Sequence, residues 1–540
     1  MNFSFRKLLV FLSFIATGFP SLAQTVTNLG TYLTPQEAKR LYTDSVVRHT
    51  SFRPYVLNDN DSLFLNKDSS SHITWGGRKL FDEHLLQVVK PEYKLYLDFL
   101  PDFQVGSDLK NDRTTWVNTR GFLIGGNIGK SFSFYTSFYE NQGVFPLYVD
   151  NYTRSVGVLP GQGEVRNYGD HGFDYSSSQG HISYTPSKYL NFDLGYDKNF
   201  IGDGYRSLLL SDVAAPYPYV KLTASVWKLR YMMMWSQMID RESPRLDYQN
   251  GYRKKWGAFH YLDWNISKKV SVGLFENIIW MDADSLGKRG FDWSYLNPLL
   301  FFRPVEFANG SPDKALVGLT AKYKMLNKFT WYGQFALNEF TAKEFFSGDG
   351  YWANKWGTQI GFRSFDIFGI PNLHFQGEAN IVRPYTYTAR IPVVEGVAVS
   401  NNGKPTNNYT HFSQPLAHLW GANFEEFLGI VNYTYKRLDI RGQFSYGYYG
   451  LDPEGLNYGK NILKPYDTRV SDYGNYIGQG ITTSLYYGDI KIAYVLNPKY
   501  NLRFETGLTY RNEKNDVSPS KTTILSIGLR SSFRNLYYDF

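Results

Sequence analysis

The chain of 540 residues has no cysteine, so disulfides and thiolate metal ligands play no part in its fold or chemistry. Past its first two dozen residues it shows no apolar run long enough to make a membrane helix. The mean hydropathy of -0.37 is also too polar for a helical membrane protein. The formal charge of +8 is spread along the chain, and no basic run carries interleaved stacking aromatics. That argues against a nucleic-acid partner. Ser225 and Ser236 lack a G-x-S-x-G setting, which removes the usual hydrolase nucleophile.

What is present begins with a leader. Arg6 and Lys7 precede an apolar stretch from Leu8 to Ile15, and Ser21-Leu22-Ala23 supplies small residues for cleavage. Residues 1–23 therefore read as a signal peptide, with Gln24 starting the mature chain. Aromatics make up 18% of the sequence, enough to supply girdles at both lipid interfaces of a membrane barrel. A secreted all-β enzyme is the competing reading of the same composition.

Alternation settles the fold class. Phe329, Trp331, Phe335 and Leu337 alternate with Thr330, Tyr332, Gln334 and Asn338. Leu373, Phe375, Ala379 and Ile381 alternate with His374, Gln376, Glu378 and Asn380, and residues 438–448 repeat the theme. A lipid-facing Arg or Lys near the bilayer centre costs about 2–4 kcal/mol, so the polar sets must face a lumen. The expected fold is an all-β transmembrane barrel of about 18 antiparallel strands. The expected spans are 93–106, 116–128, 131–140, 178–186, 190–200, 219–227, 229–237, 256–265, 270–281, 314–325, 328–339, 354–364, 372–384, 421–434, 437–449, 478–495, 500–511 and 521–540. Long loops and short turns are expected to alternate strictly, with both chain ends and the short turns periplasmic in an outer membrane.

Residues 24–91 read as a plug preceding a barrel of residues 92–540. Thr34-Pro35-Gln36-Glu37 predicts a capped helix to about Tyr42, and residues 82–89 predict a second one stopped before Pro91. A polar stretch, Asn58 to Ser71, separates them.

Several clusters bear on chemistry. Asp170-His171 with Asp174 offers a weak acid–base or metal foothold, against a plain outside loop. Glu276 with Glu378 offers a carboxylate pair, against lumenal salt bridges. Arg120, Arg206, Arg230, Arg303, Arg383 and Arg441 suit either an anionic glycan or lumenal carboxylates. No residue set calls for a cofactor or metal. Two segments are richer. Residues 199–212 contain Gly202, Asp203, Gly204, Tyr205 and Arg206, then Ser207-Leu208-Leu209-Leu210-Ser211. It lacks the third glycine of a dinucleotide loop and predicts a turn that folds back into the barrel. Residues 409–424 contain His411, Gln414, His418 and Asn423 among aromatics, a composition that suits sugar rings and hydroxyls. Tyr205, Arg206, His411, Gln414, His418 and Asn423 are the expected glycan or partner contacts on an extracellular surface.

The run from Phe200 to Ser211, followed by Ala214-Ala215-Pro216, resembles the glycine-containing region of the Wzi capsule-assembly family, with Ile201 where that pattern has Trp. Gln414-Pro415-Leu416-Ala417-His418 with Gly421-Ala422-Asn423-Phe424 is similar to the RemB-like, gliding-motility branch of that family in Bacteroidota. The resemblance implies an eighteen-stranded barrel with an N-terminal helical plug, acting as a non-enzymatic surface lectin. The aromatic end at Phe540 resembles the signal read by the outer-membrane insertion machinery. The implied partners are outer-membrane lipid and surface polysaccharide, with secretion or gliding machinery proteins beside them. Alternative readings of the chain are an accessory subunit of a surface secretion or motility complex, a porin-like channel, and an outer-membrane enzyme such as a lipase or a glycan-modifying protein.

Overall fold

The computed structural model describes residues 24–26, 30–43, 47–58, 72–242, 251–284, 287–298, 305, 313–391, 393–394, 397–398 and 405–540. The proposed signal peptide and most of the polar stretch after Asn58 lie outside these residues.

Eighteen antiparallel strands close into a barrel. They are β1 Tyr93–Asp108, β2 Arg113–Ile128, β3 Phe132–Val144, β4 Gly172–Ser187, β5 Leu190–Asp197 and β6 Tyr217–Val226. Next come β7 Leu229–Asp240, β8 Arg253–Trp264, β9 Val270–Met281, β10 Lys314–Met325, β11 Phe329–Glu339 and β12 Lys355–Phe365. The last are β13 Leu373–Val382, β14 Phe424–Tyr435, β15 Leu438–Leu451, β16 Ile481–Asn497, β17 Leu502–Lys514 and β18 Ser520–Ser531. Each pairs with its neighbour, and β18 closes onto β1 with Ile524 opposite Asp108 and Arg530 opposite Asp102. The alternation works as expected. Trp331, Phe335 and Phe444 are exposed on the outer wall, while Thr330, Gln334, Gln443 and Ser445 are buried inside. Trp227, Phe368 and Tyr435 stand exposed at the short turns, where an aromatic girdle belongs.

Four expectations need correction. The second helix is Trp75–Phe81, capped by Thr74, whose Oγ1 accepts from Gly77 N–H at 3.2 Å. Residues Leu86–Val89 are instead a strand paired with Leu97–Lys94 of β1. The lower half of β1 extends past the end of β18, and its open edge is covered by this short strand. Second, residues 109–112 and 515–519 are tight turns, so long loops do not occupy every connection at their end. Third, the loop expected over 141–177 is shorter, because β3 runs to Val144 and β4 starts at Gly172; helix Leu147–Val156 lies between them. Fourth, the last strand stops at Ser531. Residues 532–540 turn into the lumen, where Tyr148 Oη donates to Tyr538 O at 2.7 Å and Phe540 packs 4.9 Å from Tyr152. Asp539 and Asn535 find polar partners there that a lipid-facing strand could not offer.

Much of the lumen is occupied by chain. Helix α1, Pro35–Thr43, sits at the short-turn end. Its capping box forms as expected, with Glu37 N–H donating to Thr34 Oγ1 at 3.2 Å and Thr34 N–H to Glu37 Oε2 at 2.8 Å. Leu41 and Tyr42 pack on Phe365, and Lys39 pairs with Asp366 of the β12–β13 turn at 2.8 Å.

Candidate functional site

The loop between β5 and β6 enters the barrel rather than leaving it. Phe200–Ile201 pairs with Phe52–Arg53 of the N-terminal segment. Gly202 takes φ 131°, and a Cβ there would strike the Gln334 amide, so the turn requires glycine. Ser207 Oγ donates to Ile201 O at 2.5 Å and accepts from Leu209 N–H at 3.1 Å, which curls the chain back. Leu208, Leu209 and Leu210 are then fully buried against Met234, Phe259 and Leu316 on the wall.

The second motif segment, with Tyr387 ahead of it, closes over the first. Tyr387 Oη donates to Leu208 O at 2.8 Å and Tyr409 Oη to Leu209 O at 2.5 Å. Ser211 N–H donates to Leu416 O at 2.7 Å, and Ala215 N–H to Gln414 Oε1 at 3.0 Å. The two segments singled out separately in the sequence are one interlocked unit.

Arg206 is the electrostatic centre of this unit. It is 1% exposed. Its Nη2 lies 2.7 Å from Glu426 Oε1 on β14 and 2.8 Å from Asp539 Oδ2 on the C-terminal tail. Nε and Nη1 complete two forked pairs at 3.2 Å each. His418 Nε2 reaches Glu426 Oε2 at 2.7 Å. Burial pulls the His418 imidazole below its ordinary value, partly countered by Glu426. Burial likewise lowers His411 to about 3. Its Nδ1 accepts from Ile239 N–H at 3.0 Å, and Nε2 faces Pro216 O at 3.1 Å. The ring is therefore neutral with its proton on Nε2. Asn423 donates to Gly450 O and Gln479 O and accepts from Gly478 N–H, tying its loop to the end of β15 and to loop 452–480.

Five of the six expected contacts, Arg206, His411, Gln414, His418 and Asn423, are thus buried and hydrogen-bonded inside the protein, and Tyr205 is half-buried. The exposed surface expected from them is corrected: a polar–aromatic composition fits an internal network as well as a sugar site, and here the network uses the groups up. Glu378 is taken up by the backbone N–H groups of Tyr205 and Arg206. Asp170 and His171 sit exposed at a hairpin tip.

An open groove of about 360 Å³ lies instead at the long-loop rim. Phe345, Tyr351, Tyr448 and Tyr476 line it, with Asn475 and Arg383 between them. Tyr476 is 63% exposed. Loops 340–354 and 452–480 are zipped together to hold it. Gly474 N–H donates to Asp349 O at 2.8 Å and Asn475 N–H to Gly350 O at 2.9 Å, while the Trp352 ring lies tilted 4.8 Å from Tyr466. Arg383 Nη2 donates to Asn475 O at 3.2 Å. The sequence signal was there, in Gly348-Asp349-Gly350-Tyr351-Trp352 and Tyr473-Gly474-Asn475-Tyr476. Each is an aromatic–glycine run inside a predicted long loop.

No family model and no curated protein matches the chain. Among solved structures it is similar to Wzi of Escherichia coli, an outer membrane protein involved in group 1 capsule assembly and described as a carbohydrate-binding β-barrel. The match has a TM-score of 0.53 at 13% identity and covers 94% of this chain and 100% of that one. OccAB2 of Acinetobacter baumannii follows with a TM-score of 0.42 at 9% identity, over 81% of this chain and 97% of that one. OprD of Pseudomonas aeruginosa has a TM-score of 0.40 at 11% identity, over 80% and 94%. The first likeness shows the fold, that of an outer-membrane barrel.

Proposed function

We propose that this chain is a non-enzymatic outer-membrane barrel that binds surface polysaccharide at its long-loop end, which faces outward. The observation that carries the reading is the rim groove. Four aromatic side chains line it with Arg383, Glu344 and Glu425, and two of the loops that build it are locked to each other. Aromatic faces stack on sugar rings, and carboxylates and guanidinium groups hydrogen-bond hydroxyls. A lumen largely occupied by residues 30–43, 47–58, 198–216 and 532–540 supports a binding role over an open pore. The described carbohydrate binding of Wzi, on a like fold, is in keeping with it.

The test is binding of purified protein to capsule or slime polymer extracted from the producing cell. Tyr351→Ala with Tyr476→Ala should weaken binding at least tenfold while the barrel still assembles. Absence of binding by the unaltered protein would end the reading. Support of gliding motility belongs to the same proposal. A deletion strain should regain spreading with the unaltered chain and not with the double variant.

A further inference from the structure

Below the rim groove the lumen holds a second space. A cavity of about 440 Å³ runs along β12–β18, β1 and β2, from Thr115 near the long loops to Asp439 and Arg503 near the short turns. Pro35, Thr434 and Asp439, half-exposed, mark its opening at the short-turn end.

Some of its charges are matched. Arg530 lies 3.0 Å from Asp102 and also pairs with Glu505; Lys491 lies 3.2 Å from Asp489, and Arg503 3.1 Å from Glu505. Four arginines are not. Among the described residues, Arg53, Arg363, Arg441 and Arg534 have no carboxylate within ion-pair distance, yet all four line the cavity.

Their hydrogen bonds go to neutral groups. Arg53 donates from Nη1 to Thr31 O at 3.2 Å and from Nη2 to Gly204 O at 3.3 Å. Arg53 is 8% exposed, and its Nε is buried without a partner. Arg363 donates to Asp203 O at 2.9 Å and to the same Gly204 O at 3.3 Å. Arg441 makes one bond, to Gln443 Oε1 at 2.9 Å, beside the Tyr205 ring. Arg534 donates to Gln162 Oε1 at 2.9 Å and stacks on Tyr139, and its Nε is also buried and unpaired.

The nearest acids are occupied. Asp203 accepts from Tyr42, Thr50 and Ser51 and faces Lys322 at 3.7 Å. Glu378 is held by Tyr205 N–H, Arg206 N–H and Tyr332 Oη. Two guanidinium groups therefore converge on one carbonyl oxygen, while the nearest carboxylates, Glu378 for Arg363 and Asp489 and Asp539 for Arg441, lie beyond ion-pair distance and are held by other partners. Like charges brought together away from bulk water repel strongly unless an anion offsets them. Arginine forks match carboxylate and phosphate oxygens in geometry.

We propose that this cavity binds an oxyanion, a carboxylate or phosphate group either free or carried on a small saccharide, held by Arg53, Arg363 and Arg441. The site shares no residue with the rim groove and does not rest on the rim reading.

The experiment is titration calorimetry on the full chain in detergent with inorganic phosphate, digalacturonate and neutral cellobiose. The two anionic probes should release or take up binding heat, and cellobiose should not. Arg363→Gln should weaken anion binding at least tenfold. Arg441→Gln, whose guanidinium makes a single hydrogen bond, should do the same and serves if the first variant fails to assemble. Digalacturonate binding tighter than phosphate assigns a saccharide source; the reverse order assigns a free anion. Tyr351→Ala with Tyr476→Ala should leave these affinities unchanged, which separates this site from the rim. No binding of either anion, or unchanged binding in an assembled Arg441→Gln, overturns the proposal.

Discussion

The two sides of the lumen use the same alternating strands to opposite ends. Along β7–β13 the inward positions include Met232, Met234, Phe259, Phe275, Ile279 and Leu316, and they grip the three leucines at 208–210. Along β14–β18 and β1 they include Arg441, Asp489, Lys491, Glu505, Arg530 and Asp102, and a cavity remains. The apolar side is filled because dispersion and burial reward contact at every atom. The charged side keeps a cavity because each ion needs polar partners that a packed core cannot supply. Arg206 sits on the boundary, its backbone in the apolar loop and its guanidinium paired to β14 and to the tail.

The boundary is where a single change should do most damage. Arg206→Leu would leave Glu426 and Asp539 buried together without their cation. The expected loss is about 4 kcal/mol, in the range for breaking a buried pair. Urea unfolding in detergent, followed by tryptophan fluorescence, should show it, together with protease access to residues 532–540. A loss under about 1 kcal/mol would mean that the two sides are not coupled through this residue.

Within the apolar side, Leu209→Ala should cost about 3 kcal/mol by the same assay, from lost transfer energy and a cavity that rigid strands cannot close. Its effect should stay local to loop 198–216, with faster amide exchange there and none in β16–β18. Faster exchange in β16–β18 as well would erase the distinction between the two sides.

Acid should also act on the interlocked side first. His411 titrates at about 3 in the folded chain, because burial disfavours its charge. In the unfolded chain it titrates near 6.5, so the unfolded state takes up a proton first as pH falls. The stabilisation is full above about pH 6.5 and is lost progressively toward pH 3, by about 1.4 kcal/mol per pH unit. At pH 5 the expected loss is about 2 kcal/mol. His411→Gln should flatten that part of the stability–pH curve; an unchanged slope would place the acid sensitivity elsewhere.

Much of the wall was legible in the sequence because period two forces a choice of face, and lipid accepts only one answer. The interior was less so. Residues 532–540 keep an aromatic alternation, but their rings pack inside the lumen, Phe540 on helix 147–156, Tyr537 on Tyr205 and Phe533 on Tyr32, while Asp539 gains Arg206 and Gln443 as partners. Residues 82–89 opened with two acids, as a helix start does, yet Val88 and Val89 meet the free edge of β1. The candidate site suffered most. His411, Gln414, His418 and Asn423 have the composition of a sugar site, and only the positions of Pro216, Ala215, Glu426 and Gly450 reveal that their bonds are internal.

The smallest effect belongs to the mouth of the charged side. Thr34 lines the cavity and caps α1, accepting from Glu37 N–H while its own N–H donates to the Glu37 carboxylate. Thr34→Ala removes the side-chain half of that box, for an expected cost of about 1 kcal/mol. The helix has its own apolar contacts through Ala38, Leu41 and Tyr42, so the loss should appear as faster amide exchange in the first turn rather than as a lower global stability. Exchange in β7–β13 should not change. If it rises there as well, the N-terminal helix is a support for the whole lumen, and the two sides of the barrel are one cooperative unit.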